Sequence, residues 1–210
     1  NKMNIDAILQ RVDGKRMKED LFYMSSDPLR YRKANYTRPG ANRSSLDEAD
    51  SYISGRLESV GYKVDRTEYK VQAFRCDESL PVHHWHGKPE PGDPWYTVAN
   101  LEIVATGTEI PDEIVQLISH KDSMSWIDSP GAHDNCCGTV ANMEIARVLA
   151  GCDPARSVRV LFCNEEHTPW TSKPAAESAK KEGDQLIAVI NVDSIDGKSD
   201  AEIESGAMSH

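Results

Sequence analysis

Leu117-Ile118-Ser119-His120-Lys121-Asp122 and, a few residues on, Gly131-Ala132-His133-Asp134-Asn135 decide how this chain is read. Glu113 to Ile118 is an apolar-rich run of strand length, so His120 and Asp122 emerge just past a buried strand rather than in open coil. Asp134-Asn135 stands at the mouth of a helix, where either residue can serve as the cap. The arrangement recurs downstream: Val158 to Phe162 leads into Asn164-Glu165-Glu166, and Leu186 to Val192 leads into Asp193. In open α/β sheets, ligands gather outside the carboxyl ends of the strands, so side chains distant in sequence converge there. A metal site is the expectation.

Working outward, the order β-α-β-α-β from residue 113 onward implies parallel strands, right-handed crossovers and helices covering the sheet. The first of those helices is expected from about Cys136 to Ala150, with Ala141, Ile145, Val148 and Leu149 facing the sheet and Gly151 as its stop. Pro174 suits the first turn of the second, which ends near Gly183. Upstream, Tyr62 to Val71 and Tyr96 to Ala105 read as strands, and Gly107 to Asp112 as the turn into the run that ends at His120. Ser45, with Glu48 after it, offers a capping box for a helix whose stripe is Leu46, Ala49, Ile53 and Leu57 and whose end is Gly61.

The chain opens with two amphipathic helical pieces, one carrying Ile5, Ile8 and Leu9, the other Met17, Leu21 and Met24. Tyr31 to Arg43 has loop chemistry. Residues 76–95 contain four prolines and the trio His83, His84 and His86, an irregular excursion rather than a hairpin. No carboxylate stands at a defined spacing from those histidines, so loop packing is the preferred reading over metal binding.

A length of 210 residues suits one domain, 1–210, with a helical N-terminal part over 1–61 and the irregular insert at 76–95. The formal net charge of −10, without a concentrated basic patch, excludes a nucleic-acid partner. No apolar run approaches the roughly 18 residues of a membrane span and no signal-peptide pattern opens the chain, so a soluble protein is expected, its compartment open. Five cysteines without C-x-x-C spacing argue against a disulfide framework and a zinc knuckle, and Cys163 reads as core packing rather than catalysis.

A hydrolytic zinc centre needs nitrogen and oxygen ligands, an open position for water, a bridging carboxylate if two ions are held, and a general base that is not itself a ligand. His120, Asp134, Glu165, Glu166 and Asp193 supply those residue types, and Asp122 is placed to orient the His120 imidazole from behind.

In Ser119-His120-Lys121-Asp122-Ser123, Pro130-Gly131-Ala132-His133-Asp134-Asn135-Cys136-Cys137-Gly138, Asn164-Glu165-Glu166 and Asn191-Val192-Asp193, the chain resembles the co-catalytic dizinc exopeptidases. That family includes bacterial leucyl aminopeptidase and the glutamate-carboxypeptidase-like enzymes, and the likeness covers roughly residues 20–197. The resemblance implies a three-layer αβα sandwich with a mixed, mostly parallel sheet and helices on both faces. It also implies two zinc ions and a peptide substrate. His120 and Asp193 would hold one zinc and Glu166 the other, with Asp134 bridging. Glu165 would take a proton from the attacking water and pass it to the leaving amine, with Asp122 supporting His120. An aminopeptidase is the leading expectation. A carboxypeptidase or small-amide hydrolase on the same scaffold, and a non-catalytic peptidase-like domain, are the alternatives.

The chain departs from the family in three places. The last histidine ligand of the second zinc, expected well after Asp193, has no clear counterpart, and His210 lacks the surrounding pattern. Either the chain is a C-terminally truncated fragment, or the site is incomplete as it stands, or another chain completes it. Glu166-His167-Thr168-Pro169-Trp170-Thr171-Ser172 replaces a glycine-rich turn, and His167 reads as a loop or supporting residue in preference to a direct metal contact. The insert around His83 and Trp85 has no counterpart and could serve as a lid or an oligomer contact.

Overall fold

A computed structural model describes residues 5–195 and residue 201. Its strands are β1 (Asp65–Ala73), β2 (Arg75–Cys76), β3 (His86–Gly87), β4 (Tyr96–Ala105), β5 (Ile110–His120), β6 (Arg156–Cys163), β7 (His167–Thr168) and β8 (Gln185–Asn191). Its helices are α1 (Ile5–Leu9), α2 (Gly14–Ser25), α3 (Ser45–Glu58), α4 (Cys137–Leu149) and α5 (Ser172–Glu182). The main sheet has the order β7-β1-β4-β6-β5-β8. Pairing is parallel from β6 through β5 to β8 and antiparallel among β7, β1, β4 and β6, so the sheet is mixed. The parallel part is the β-α-β-α-β segment read from the sequence.

Alternation along the strands sorts side chains to two faces. On one face, Leu101, Ile103, Val160 and Phe162 are buried with Met24 of α2, Ile53 and Leu57 of α3, and Val140, Met143 and Ala146 of α4. Each fully buried side chain of this size contributes about 1.5–3 kcal/mol. On the other, Asn100, Glu102 and Leu161 meet Ala175 and Ala179 of α5 across a polar cleft. Helices on both faces of a mixed sheet make the three-layer arrangement.

Several local expectations shift by a few residues for physical reasons. Ser44, not Ser45, caps α3, its hydroxyl accepting from Asp47 N–H at 3.2 Å. The Ser45 hydroxyl is buried and occupied by the Lys33 backbone. Gly61 lies beyond the last turn of α3 with φ at 98°. β5 begins at Ile110, inside the expected turn. α4 is rotated from the predicted face: Val140, Met143 and Ala146 meet the sheet, while Ala141, Ile145, Val148 and Leu149 line a groove with Ile8, Leu9 and Val12. An apolar residue on nearly every turn of both faces made the sheet side ambiguous. α1 has no buried residue. The insert forms the short β2/β3 ribbon with a single helical turn at Val82–His84.

Candidate metal centre

The carboxyl ends of β5, β6 and β8 lie side by side, and the loop before α4 folds over them. Asn135 joins these parts. Its amide NH2 donates to Val192 O at 2.9 Å, and its Oδ1 accepts from Gly138 N–H at 3.0 Å and Ser194 N–H at 3.2 Å. Asn135 is therefore the side chain that caps α4, which leaves Asp134 free to point elsewhere. Gly138 permits the approach, since a Cβ there would lie 2.2 Å from Val192 O.

His120 Nε2 stands 2.9 Å from Asp134 Oδ1 and 3.7 Å from Asp193 Oδ1. The three side chains offer ligand atoms within 4.8 Å of one another. Glu165 and Glu166 line the same cleft, of about 490 Å³, together with Ile118, Trp170 and Ser172. Glu166 stands outside the three-residue cluster. Asp122 does not line the cleft. It lies beneath it, fully buried, with its carboxylate accepting from Glu165 N–H at 3.0 Å and Glu166 N–H at 2.9 Å. His120 Nδ1 lies 3.3 Å from Asp122 Oδ1 and 3.2 Å from its carbonyl oxygen.

The electrostatics are those of a place with more acids than cations. Burial would lower the His120 pKa, but hydrogen bonds to Asp122, Asp134 and Asp193 dominate together and push it up to about 12. Burial would raise the Asp122 carboxyl, yet the two histidines beside it hold it far below the ordinary range. Glu166 is pushed up to about 8, first by burial and then by the charges of Asp122 and Asp134. Burial also raises Glu165. One imidazole and several converging carboxylates, some of them reluctant to ionise together, form a donor set that a divalent cation of the zinc type fits.

Of the other histidines weighed in the sequence, His167 is fully buried and faces Asp122 rather than the cleft. His86 of the insert packs against Phe74 and Trp126, which lie outside it. His210 lies outside the described residues.

Sequence reading missed Arg32. Its side chain is fully buried, yet among the described residues it bonds only backbone carbonyls: Lys121 O at 2.8 Å, Pro130 O at 2.8 Å, Gly131 O at 2.9 Å, and Met24 O. It thus clamps the His120 loop to the Asp134 loop. Lys121 sits inside the His120 motif with no role that its position in the sequence reveals. It is equally buried, pairing with Asp50 Oδ1 at 2.7 Å and donating to Asn164 Oδ1 at 2.8 Å. Lys121 and Asn164 directly adjoin His120 and Glu165, so this pair ties two arms of the site together. A charged residue inside an apolar-flanked motif was the one signal available.

Comparison with known proteins bears on the fold and the family. A probable zinc metalloprotease of the fungus Pyrenophora teres f. teres is 31% identical over 104 residues, covering 46% of this chain and 22% of its own length. The chain thus spans less than a quarter of that relative. An aminopeptidase from Aneurinibacillus sp. strain AM-1 shares the fold with a TM-score of 0.70 at 13% identity, over 91% of this chain and 72% of that one. A glutaminyl cyclase from Fimbriiglobus ruber shares it with a TM-score of 0.59 at 16% identity, over 85% of this chain and 59% of that one. The family model described as peptidase family M28 matches residues 99–208, more than half of the chain, from within β4 through the strand-end motifs. With His120, Asp134, Glu165, Glu166 and Asp193 all inside that span, the chain belongs to peptidase family M28.

Proposed function

We propose that this chain carries the catalytic centre of a zinc-dependent exopeptidase, an aminopeptidase that releases N-terminal residues from peptides. The fold does not select that chemistry, since its structural neighbours bear the names of both aminopeptidases and glutaminyl cyclases. The observation that carries the reading is the placement of Glu165 in the cleft beside the His120, Asp134 and Asp193 cluster. His120 and Asp193 would hold one zinc, Asp134 would bridge, and Glu166 would serve a second. When bound, zinc supplies a Lewis acid that polarises the scissile carbonyl and makes water more acidic.

Glu165 does the proton work. Burial raises its carboxyl above the ordinary value, the direction that makes a carboxylate a stronger base. Ser172 N–H donates to Glu165 Oε1 at 3.3 Å, and Asp122 holds the Glu165 backbone, so the carboxylate is aimed before substrate arrives. From there it takes a proton from the attacking water and delivers it to the departing amine. Trp170, 58% exposed at the rim, offers an apolar face to the substrate.

The test is Glu165→Gln in the full-length protein, assayed on peptides with free and with blocked N-termini. Hydrolysis should fall by roughly 10²–10⁴-fold while zinc content stays unchanged. An unchanged rate removes Glu165 from the mechanism. Equal cleavage of blocked and free peptides by the unaltered protein replaces the aminopeptidase with another amide hydrolase.

A further inference from the structure

The buried His167 belongs to neither the cleft nor the hydrophobic core, and it is fully shielded from solvent. Its Nδ1 lies 2.8 Å from Asp122 Oδ2. On the other side of the ring, Ala34 N–H donates to Nε2 at 3.1 Å. A backbone amide can only donate, so Nε2 carries the lone pair and the ring hydrogen sits on Nδ1, pointed at the carboxylate. The imidazole is therefore a relay of fixed polarity from the N-terminal loop to Asp122.

Asp122 accepts from the backbones of Glu165 and Glu166 and contacts His120, so its orientation sets two arms of the site at once. Its Oδ2 is shared by Glu166 N–H and His167 alone among the described residues. Without the imidazole, Oδ2 loses its side-chain donor and keeps only the Glu166 N–H among the described residues, so the carboxylate is held less firmly against His120. The position of the ring is itself fixed by backbone, because His167 pairs with Ala73 of β1.

We propose that His167 is a positioning residue for the metal centre: through its Nδ1–H it holds Asp122, and through Asp122 it sets the angle of the His120 imidazole and the Glu165–Glu166 turn. This rests on the reading of His120 as a zinc ligand. His167 itself touches neither zinc nor substrate.

Asparagine and glutamine separate this role from simple packing. The amide nitrogen of Asn occupies the place of Nδ1 and keeps the donor to Asp122. The Gln amide reaches the place of Nε2, beside Ala34, and leaves Asp122 without it. In the full-length protein, zinc affinity measured by chelator competition should hold within a few-fold in H167N. It should weaken roughly 10–100-fold in H167Q, the range typical of lost support behind a metal-binding histidine.

A packing role would weaken both variants alike, and that result, or undiminished affinity in H167Q, overturns the proposal. His120→Ala is the control. If it too leaves zinc affinity untouched, the metal-centre reading fails and the proposal with it, whereas loss in His120→Ala alone overturns only the role of His167. Nitrogen-15 shifts of the unaltered protein give an answer that needs no variant: a hydrogen on Nδ1 is expected, and a hydrogen on Nε2 overturns the proposal.

Discussion

β5 and β8 run parallel as neighbours, and β5 ends in His120 while β8 leads two residues on into Asp193, yet the two residues are held by different means. β5 lies between two strands, and from Ser119 to Ser123 every residue is buried. Its end is gripped by Arg32, Lys121, Asp122 and His167 through bonds that no solvent screens. β8 is the outermost strand among the described residues, with Ile187 49%, Val189 58% and Ile190 49% exposed there. Asp193 beyond it is 37% exposed and steadied mainly by Asn135 and His120. A strand by itself brings a side chain to the neighbourhood; a saturated polar network at low dielectric sets its direction.

The largest test of that contrast is Lys121→Met. It leaves the fully buried Asp50 without its closest cation and the Asn164 oxygen without a donor, and should cost about 3–5 kcal/mol in urea unfolding. A loss below 1 kcal/mol, on the scale of an exposed ion pair, would mean the β5 end is no better fixed than a surface loop. Truncating apolar side chains on the two strands compares them directly. Leu117→Ala on β5 should cost about 2–5 kcal/mol, and Val189→Ala on β8 about 0.5 kcal/mol. Equal costs would show that β8 is covered in the working protein and that its exposure is not a property of the site.

The smallest expected effect is on pH. In the metal-free protein, Glu166 stays protonated up to about 8, whereas unfolded it ionises above 4.5. The folded state thus binds the extra proton in that window, and stability falls as pH rises through it. His120, raised from 6.5 to about 12, acts in the same direction: its contribution is complete below 6.5 and is lost as pH rises toward 12. Zinc competes with these protons, so its affinity should rise with pH across neutrality, by at most about tenfold per unit for each proton displaced. Calorimetry in buffers of different ionisation heat would detect the released protons. A pH-independent affinity would break the link between these groups and the metal.

Much of the framework was legible from local patterns. β4 has the predicted bounds, α5 starts beside Pro174 and ends at Gly183 with φ at 79°, and His120, Asp134 and Asp193 meet where strand ends were expected to meet. These features follow from side-chain periodicity and backbone preference within a few residues, which any single sequence carries. The outer position of β8 among the described residues was not legible, because an apolar run looks the same in a central strand and at an edge.

The sequence by itself determined which residues could do chemistry, because residue type and strand context are local properties. Only the tertiary structure decided how they are held. Ala34 and His167 are 133 positions apart, and Arg32 reaches Gly131 across 99. A hydrogen bond depends on a few ångströms and an angle, and no periodicity in the chain encodes a distance between segments that meet only once the sheet has formed.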